Sequence, residues 1–372
     1  MPPKRSKPRW TRRRVLFLLL AYAIVFLAAE ATVRIINPMT ARPAYYGYPE
    51  GLIIPDETIG HRYHPGFRGR FMSPRYRDVE ININAAGFRD TEWNPTPSPD
   101  VPRAIVLGDS ITFGSPLPID QRFDNVAETT LAQQDSPLDM CNCGVNGFAV
   151  AQYDLLLREV GPQLAPEIVV VGLCLNDAEP LSPADDARIQ AAKEAEKRGT
   201  LQRAKERLKT YRLDFDKSYF VNLIIRGAQE WAWKIPGAAP RMADRYAQKT
   251  RRQLEKIYAD GTGLPRLRKH LTAMRRFTEE KLGARFLVVV FPYRHMLHET
   301  RPWIIDEVTK LLADEGITHL NLAETFRVYR NHPELYAHRD DCHPAALGHR
   351  LAGEKLAALA ASWLRGKSAL VP

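Results

Sequence analysis

The chain has 372 residues, of which 45% are hydrophobic and 26% are charged. These proportions are ordinary for a packed globular protein and exclude collagen-like, coiled-coil and low-complexity chains, and four cysteines are too few for a disulfide-built scaffold. Of the 53 basic residues, seven lie within the first fourteen positions and the other 46 nearly balance 43 acidic residues, so the net charge of +10 does not indicate a nucleic-acid partner.

Residues 1–37 predict a basic cytoplasmic tail followed by one membrane-spanning helix. The stretch Val15–Ala29 is uncharged, and the apolar pattern resumes through Ile36 after Glu30 and Arg34. Glu30 and Arg34 are four residues apart, so on a helix they can pair near the far membrane interface. The basic residues favour a cytoplasmic N-terminus, which places the rest of the chain in the periplasm or another extracytoplasmic space.

Two cleavable or export signals are alternatives to a retained anchor. Ala29-Glu30-Ala31 fits a signal-peptidase site, and Thr11–Val15 loosely resembles a twin-arginine signal. The apolar stretch continues past the potential cleavage site, which favours the anchor. Under each of these interpretations, the rest of the protein is exported from the cytoplasm.

Residues 38–100 predict an irregular N-terminal arm. They are rich in proline, glycine, tyrosine and arginine, and short alternating pieces such as Val79–Asn84 indicate a small hairpin or an edge strand. The arm also contains His61 and His64, which we expect to be solvated loop residues rather than metal ligands.

From residue 101 the pattern alternates between strands and helices. Amphipathic stretches around Phe123–Leu131 and Leu347–Trp363 predict helices. The alternation predicts a three-layer α/β/α fold with a parallel sheet. Five apolar runs have the length and the low polar alternation of buried parallel strands: Ala104–Leu107, Leu138–Cys143, Ile168–Cys174, Phe286–Phe291 and Ile317–Leu322.

A long segment interrupts this alternation between the third and fourth strands. Residues 179–262 are highly charged, have a helical period and are too long for an ordinary connection, so they predict a helical insertion. The core therefore comprises residues 101–178 and 263–366. Because the insertion begins after a strand end, we expect it to act as a lid or a substrate groove.

A serine follows the first predicted strand, within Gly108–Gly114 (GDSITFG). Open α/β sheets bind ligands at the carboxyl ends of their strands, where backbone N–H groups of the next helix can stabilise an oxyanion. Thr112 stands where the second glycine of G-x-S-x-G would be, which argues against an α/β-hydrolase elbow. Ser110 is therefore a candidate nucleophile, and a purely structural turn is the alternative.

A candidate base lies just before the last predicted helix, in Arg339–Ala345. Pro344 suits the first position of that helix, which places His343 in the loop at the helix start. A neutral imidazole can accept the serine proton and later give it to a leaving group, and Asp340 can orient the ring. The alternative is that Asp340 only caps the helix.

Two further strand ends supply hydrogen-bond donors. Asn176 and Asp177 follow the third strand, and the loop Asn142–Gly147 follows the second. A side-chain amide and a glycine N–H are the donors that the oxyanion of an acyl-transfer reaction requires. Four segments thus supply a nucleophile, two kinds of donor, and a base with its orienting carboxylate.

In this order, the motifs resemble those of the SGNH (GDSL) hydrolase superfamily: Gly108-Asp109-Ser110, Gly147, Asn176 and Asp340-x-x-His343. The resemblance implies a serine esterase or acylhydrolase with a flavodoxin-like sheet. It implies that Ser110 is the nucleophile and that its own N–H is an oxyanion donor. Gly147 and Asn176 would be the other donors, and His343 would be the base with Asp340 as its partner.

The resemblance covers about half of the chain, in the two parts of the core, and it has departures. Cys174 stands two residues before the asparagine, where the family usually has glycine. Gly144 competes with Gly147 for the backbone donor, and Asp341 leaves the orienting carboxylate open. The arm segment Asn82–Asp90 is similar to the region before the serine motif in membrane-anchored bacterial members.

We expect no cofactor and no catalytic metal, because the best-placed residues of the His-Asp cluster around His343 already belong to the triad. The four cysteines allow three full disulfide pairings, and we expect at least two of them to be buried free thiols. A cysteine nucleophile is not expected, since Ser110 has the better scaffold.

The sequence therefore predicts a membrane-anchored, extracytoplasmic serine hydrolase that cleaves O-acyl esters, such as acetyl esters, through an acyl-enzyme. The expected partners are an acylated glycan or lipid ester as substrate and a membrane around the N-terminal helix. Two alternatives are a glycan O-acyltransferase with the same triad and a catalytically silent glycan-binding envelope protein.

Overall fold

The chain forms two compact units, Met1–Gly47 with Thr200–Ala239 and Tyr48–Gly199 with Pro240–Pro372. Most of the predicted insertion, residues 179–262, lies outside the part of the chain that the structure describes. The computed structural model describes residues 11–36, 49, 51–73, 76–94, 96, 98, 100–115, 117–180, 218–221, 223–224, 228, 248, 251–299, 302–337 and 342–368.

In the first unit, helix α1 (Arg12–Ile36) contains the predicted membrane-spanning segment. It is long and apolar enough to cross a membrane, with a mean hydropathy of 2.3 over an 18-residue window. A signal sequence near an N-terminus can be equally long and apolar. Glu30 and Arg34 form an ion pair on this helix, with 2.7 Å between Oε1 and Nε, as their four-residue spacing predicts.

In the second unit, the N-terminal arm contains two antiparallel hairpins, whereas the sequence predicted one hairpin or an edge strand. The prediction that His61 is solvated is wrong, because this residue lies in the first hairpin and is only 2% exposed. His64 is exposed. The paired strands are β1 (Ile53–Asp56) with β2 (Gly60–Tyr63), and β3 (Arg68–Ser73) with β4 (Tyr76–Asn82).

A parallel sheet of five strands forms the core of the second unit, and each predicted strand is confirmed to within one residue at either end. The strands are β5 (Arg103–Gly108), β6 (Asp139–Gly144), β7 (Ile168–Cys174), β8 (Arg285–Phe291) and β9 (Thr318–Asn321). Their order across the sheet is β6-β5-β7-β8-β9. Every residue of β5 and β7 is buried, which is why these strands read as continuous apolar runs.

Helices flank the sheet and complete the predicted three-layer α/β/α fold. They include α2 (Ser110–Phe113), α3 (Phe123–Ala132), α4 (Val150–Leu164), α5 (Gly263–Lys281), α6 (Trp303–Asp314), α7 (Ala323–Val328) and α8 (Ala346–Ser368). Helix α3 packs against α8, and α4 packs against α5. The approach of α8 to α3 requires Gly353, because a Cβ atom there would lie 2.5 Å from the Phe123 carbonyl oxygen.

Candidate active site

The carboxyl ends of three neighbouring strands bring predicted site residues to one edge of the sheet. β5 lies between β6 and β7, and its last residue, Gly108, pairs with both neighbours. Ser110 follows β5 by two residues, whereas Gly147 and Asn176 follow β6 and β7. In open α/β sheets this edge is where ligands bind.

Ser110 is the first residue of α2, and the turn before the helix fixes its position. The Asp109 carboxylate caps α2 by accepting a hydrogen bond from the Ile111 N–H at 2.9 Å. Gly114 ends the helix in the left-handed conformation, with a φ of 79° that favours glycine. Ser110 itself is half-buried, so its hydroxyl faces a region that solvent can reach.

The structure brings Ser110 and His343 together across 233 residues of sequence. His343 Nε2 lies 2.7 Å from Ser110 Oγ, a distance at which a neutral imidazole can accept the hydroxyl proton. Two backbone hydrogen bonds hold the loop that carries His343. The Ala337 N–H donates to the His343 oxygen at 2.9 Å, and the Ala345 N–H donates to the Leu335 oxygen at 3.0 Å.

The prediction that Pro344 begins the last helix is wrong. Pro344 instead pairs with Tyr336 in an isolated antiparallel bridge, and α8 begins two residues later, at Ala346. Proline is compatible with this bridge because its fixed φ also suits the edge of an extended pair. His343 therefore lies in the loop three residues before α8 rather than directly before the helix.

The Ser110 hydroxyl has a second neighbour, Asp109 Oδ2, at 3.3 Å. Asp109 is buried, and the loss of hydration raises the pKa of its carboxyl group, although the hydrogen bond from Ile111 and the nearby His343 act in the opposite direction. His343 Nε2 is the closer of the two groups at 2.7 Å, so the geometry favours proton transfer to the imidazole.

Asp340, the predicted partner of His343, lies outside the described residues, and so does the competing Asp341. The neighbouring residue that the structure does describe is Cys342, whose Sγ lies 3.8 Å from His343 Nδ1. This is the ring nitrogen that an orienting carboxylate would engage. The role of Asp340 stays a prediction.

The structure separates the environments of Gly144 and Gly147. Gly144 is the last residue of β6 and is buried, and a Cβ atom there would lie 2.5 Å from the Phe113 backbone nitrogen. A glycine is therefore needed at position 144 for the close packing of α2 on the sheet. Gly147 is exposed, has a φ of +76° and has open space around it. The Gly144 N–H already donates to Asn142 Oδ1 at 2.9 Å, which favours Gly147 as the donor for a ligand.

Asn176 lies in a 3-10 turn, Leu175–Ala178, directly after β7. Asp177 stabilises this turn by accepting a hydrogen bond from the Cys174 N–H at 2.8 Å. The Tyr293 hydroxyl donates to Asn176 Oδ1 at 2.9 Å. Sequence reasoning missed Tyr293, although it follows β8 by two residues and so lies at the same edge of the sheet.

The four cysteines are free thiols, and three of them are buried, at positions 141, 143 and 174. Burial raises the pKa of the Cys174 thiol well above its usual range, so this group is not a thiolate nucleophile at neutral pH. Within the described ranges, no cluster of three or more histidine, cysteine, aspartate or glutamate side chains is arranged to hold a metal ion.

Residues 106–351, well over half of the chain, match the sequence model of the GDSL-like lipase/acylhydrolase family. The comparison with curated proteins found no match. Among solved structures, TesA is 13% identical (TM-score 0.40), with 68% of this chain and 94% of that chain covered. The esterase EstA from Pseudoalteromonas sp. is 11% identical (TM-score 0.38; 71% and 98% covered). The acetylxylan esterase Axe2 from Geobacillus stearothermophilus is 12% identical (TM-score 0.37; 70% and 94% covered).

Proposed function

Because the chain belongs to the GDSL-like lipase/acylhydrolase family, we propose that it is an extracytoplasmic serine esterase or acylhydrolase. The proposed reaction is the two-step cleavage of an O-acyl ester of a glycan or lipid through an acyl-enzyme. The observation that carries the proposal is the 2.7 Å contact between Ser110 Oγ and His343 Nε2 at the carboxyl edge of the sheet.

In the first step, His343 accepts the Ser110 proton while Oγ attacks the carbonyl carbon of the ester. The carbonyl oxygen becomes negatively charged, and the N–H groups of Ser110 and Gly147 and the Asn176 amide stabilise it. The imidazolium then gives its proton to the leaving alcohol as the ester C–O bond breaks. The acyl group is left on Ser110, and Asp340 is the proposed group that orients the imidazole.

Water completes the reaction. His343 takes a proton from a water molecule as the water oxygen attacks the acyl carbon, and the same three donors stabilise the second oxyanion. Collapse of this intermediate releases the carboxylic acid and returns the proton to Ser110. A sugar hydroxyl in place of the water would give acyl transfer, so the products formed with and without a glycan acceptor distinguish a hydrolase from a transferase.

Contacts of α1 support a retained anchor rather than a cleaved signal peptide. The Glu30 carboxylate accepts hydrogen bonds from Ser218 Oγ at 2.7 Å, from the Tyr219 N–H at 3.0 Å and from the Phe220 N–H at 2.9 Å. The Arg34 guanidinium lies 4.8 Å from the centre of the Tyr219 ring. Cleavage near residue 30 would remove a helix that these later residues contact. With a cytoplasmic basic tail, a retained helix places the catalytic body outside the cytoplasm.

Labelling with a fluorophosphonate probe tests the nucleophile. The full chain should react, and Ser110→Ala should lose both the labelling and at least about 10³-fold of kcat/KM for p-nitrophenyl acetate. Ser362→Ala is the matched control, because it removes an exposed serine hydroxyl from α8 and should change neither result.

Two results would contradict the proposal. One is labelling that persists in Ser110→Ala, which would place the reactive group elsewhere. The other is a wild-type chain that neither reacts with the probe nor hydrolyses any member of a panel of acetylated polysaccharides and acyl esters. The same panel, assayed for released acid, identifies the class of ester.

A further inference from the structure

A side chain of the N-terminal arm contacts the loop that carries Gly147. His61, in β2, has its Nε2 3.1 Å from the backbone oxygen of Asn146. The oxygen can only accept a hydrogen bond, so Nε2 carries the hydrogen and donates it. The contact joins residues 85 apart in sequence, and His61 is only 2% exposed, so this hydrogen bond is shielded from water.

The bonded oxygen belongs to the same peptide group as the proposed oxyanion donor. A peptide bond is planar and trans, so the carbonyl of Asn146 and the N–H of Gly147 lie in one plane and point in opposite directions. A hydrogen bond that fixes the carbonyl therefore fixes the direction of the N–H. We propose that His61 is a positioning residue, which aims the Gly147 N–H at the oxyanion of the ester. This proposal rests on the proposed esterase function.

Gly147 needs such external support. It is exposed, its φ is +76°, and no atom beyond its own and its two chain neighbours lies within 4 Å of the place where a Cβ would be. Glycine also has more backbone freedom than any other residue. Packing at Gly147 itself therefore does not define the direction of its N–H, and the direction depends on how the preceding peptide group is held.

The ring of His61 is itself well anchored. It packs edge-on against Phe148, with 5.0 Å between ring centres. The first hairpin is tied to α4 by Gln152, whose Nε2 donates to the Ile59 oxygen at 2.8 Å. Because packing and the hairpin already restrict the His61 side chain, it loses little conformational entropy when Nε2 donates to the carbonyl oxygen.

The neighbouring peptide group of the same loop provides a matched control. The N–H of Asn146 donates to the Tyr63 hydroxyl at 2.8 Å, and Tyr63 is buried in the same strand as His61. That N–H belongs to the peptide group before Asn146, which does not contain the Gly147 N–H. A purely structural hairpin would need both hydrogen bonds for stability, whereas a positioning role depends on His61 alone.

The test compares His61→Leu, His61→Gln and Tyr63→Phe in the full chain, with p-nitrophenyl acetate as the substrate. Removing an entire oxyanion donor costs about 10²–10³-fold in kcat, so misdirecting one in His61→Leu should lower kcat by about 10-fold with KM nearly unchanged. His61→Gln should retain most of the wild-type kcat, because its amide nitrogen can take the place of Nε2. Tyr63→Phe should lower the Tm but leave kcat close to wild type.

Equal losses of kcat in His61→Leu and Tyr63→Phe, or an unchanged kcat in a folded His61→Leu, would overturn the role of His61. Should His61→Leu not fold, His61→Asn replaces it, because the shorter asparagine amide falls short of the carbonyl that glutamine can reach. Equal kcat values for His61→Asn and His61→Gln would also overturn the role. Failure of the proposed function is distinguishable, since it shows as wild-type activity that does not depend on Ser110 or as no wild-type activity at all, and either result removes this role as well.

Discussion

The side-chain amide of Asn176 has an oxygen on one side and an NH2 group on the other, and only the NH2 group can stabilise an oxyanion. Tyr293 donates its hydroxyl hydrogen to the oxygen at 2.9 Å. This hydrogen bond favours one of the two amide orientations and leaves the Nδ2 hydrogens for a ligand. Tyr293 is buried, so water competes little for the Asn176 oxygen.

Tyr293→Phe should therefore lower kcat by about 10-fold, which is less than the 10²–10³-fold expected when the donor is removed in Asn176→Ala. KM should change little, because the donor acts on charge that develops only in the transition state. Steady-state kinetics with p-nitrophenyl acetate measure both constants.

Tyr336→Phe is the control for Tyr293→Phe. The Tyr336 hydroxyl is also buried, and it donates to the Pro292 backbone oxygen at 2.7 Å. Its removal should lower the Tm without changing kcat. An equal loss of kcat in both variants would mean that Tyr293 acts only through stability.

Among the elements, the N-terminal arm supports the short helix that carries Ser110. Arg89 donates to three carbonyl oxygens at the C-terminal end of α2 and just after it, those of Phe113 at 2.9 Å, Gly114 at 3.1 Å and Leu117 at 2.6 Å. Burial lowers the pKa of Arg89 to about 9, so the guanidinium still carries its charge at neutral pH. The arm is thus part of the framework of the site.

Arg89→Met should lower the free energy of unfolding by about 2–4 kcal/mol, because three buried carbonyl oxygens lose their donor. Urea denaturation of the full chain in detergent measures this change. The control is Arg350→Met, which removes an exposed ion pair with Glu354 in α8 and should cost less than about 0.5 kcal/mol. Similar midpoints for the two variants would show that the arm does not support α2.

The elements differ in how far the sequence could predict them. The five core strands could be recognised because both faces are covered, so an uninterrupted apolar run marks each of them. The first hairpin could not, since its strands have four residues each and contain Pro55, His61 and Arg62. Its contacts with α4, α2 and the loop that carries Gly147 join residues far apart in sequence. The same reason explains why His61 was predicted to be solvated.

The site shows a similar division. Ser110, Asn176 and His343 could be predicted as candidates because short motifs carry them at strand ends or before a helix. Tyr293 and His61 are hydrogen-bonded to residues 117 and 85 positions away in sequence, and no local sequence pattern predicts such pairs. Short sequence motifs predict the side chains that would contact the ester. The residues that orient those side chains become visible only from contacts in the folded structure.

At the scale of the whole molecule, most of the net positive charge and most of the exposed large apolar side chains lie at the beginning of the chain. Seven of the 53 basic residues precede Val15, and α1 belongs to a different compact unit from the sheet. This distribution suits a protein that is held at a membrane by one terminal helix. It does not suit a protein that binds a polyanion across a folded surface.

A C-terminally tagged chain should stay in the membrane fraction after carbonate extraction, with residues 1–36 detected by mass spectrometry. A control in which a cleavable export signal replaces residues 1–36 should be soluble and keep its kcat, because Ser110 and His343 belong to the other compact unit. A soluble wild-type product that begins near Ala31 would instead identify α1 as a signal peptide.

The contacts of the N-terminal arm also limit how far the chain can be truncated from its N-terminus. The family match starts at residue 106, inside β5, yet the buried Arg122 pairs with Asp90 at 2.8 Å as well as with Asp124 at 2.9 Å. A fragment that began at residue 101 would lose one of these carboxylates, together with both hairpin partners of the Asn146 backbone. The contacts that hold the site thus begin before the family match, and we expect that transplanting this site into another scaffold requires the arm from β1 (Ile53–Asp56) onward.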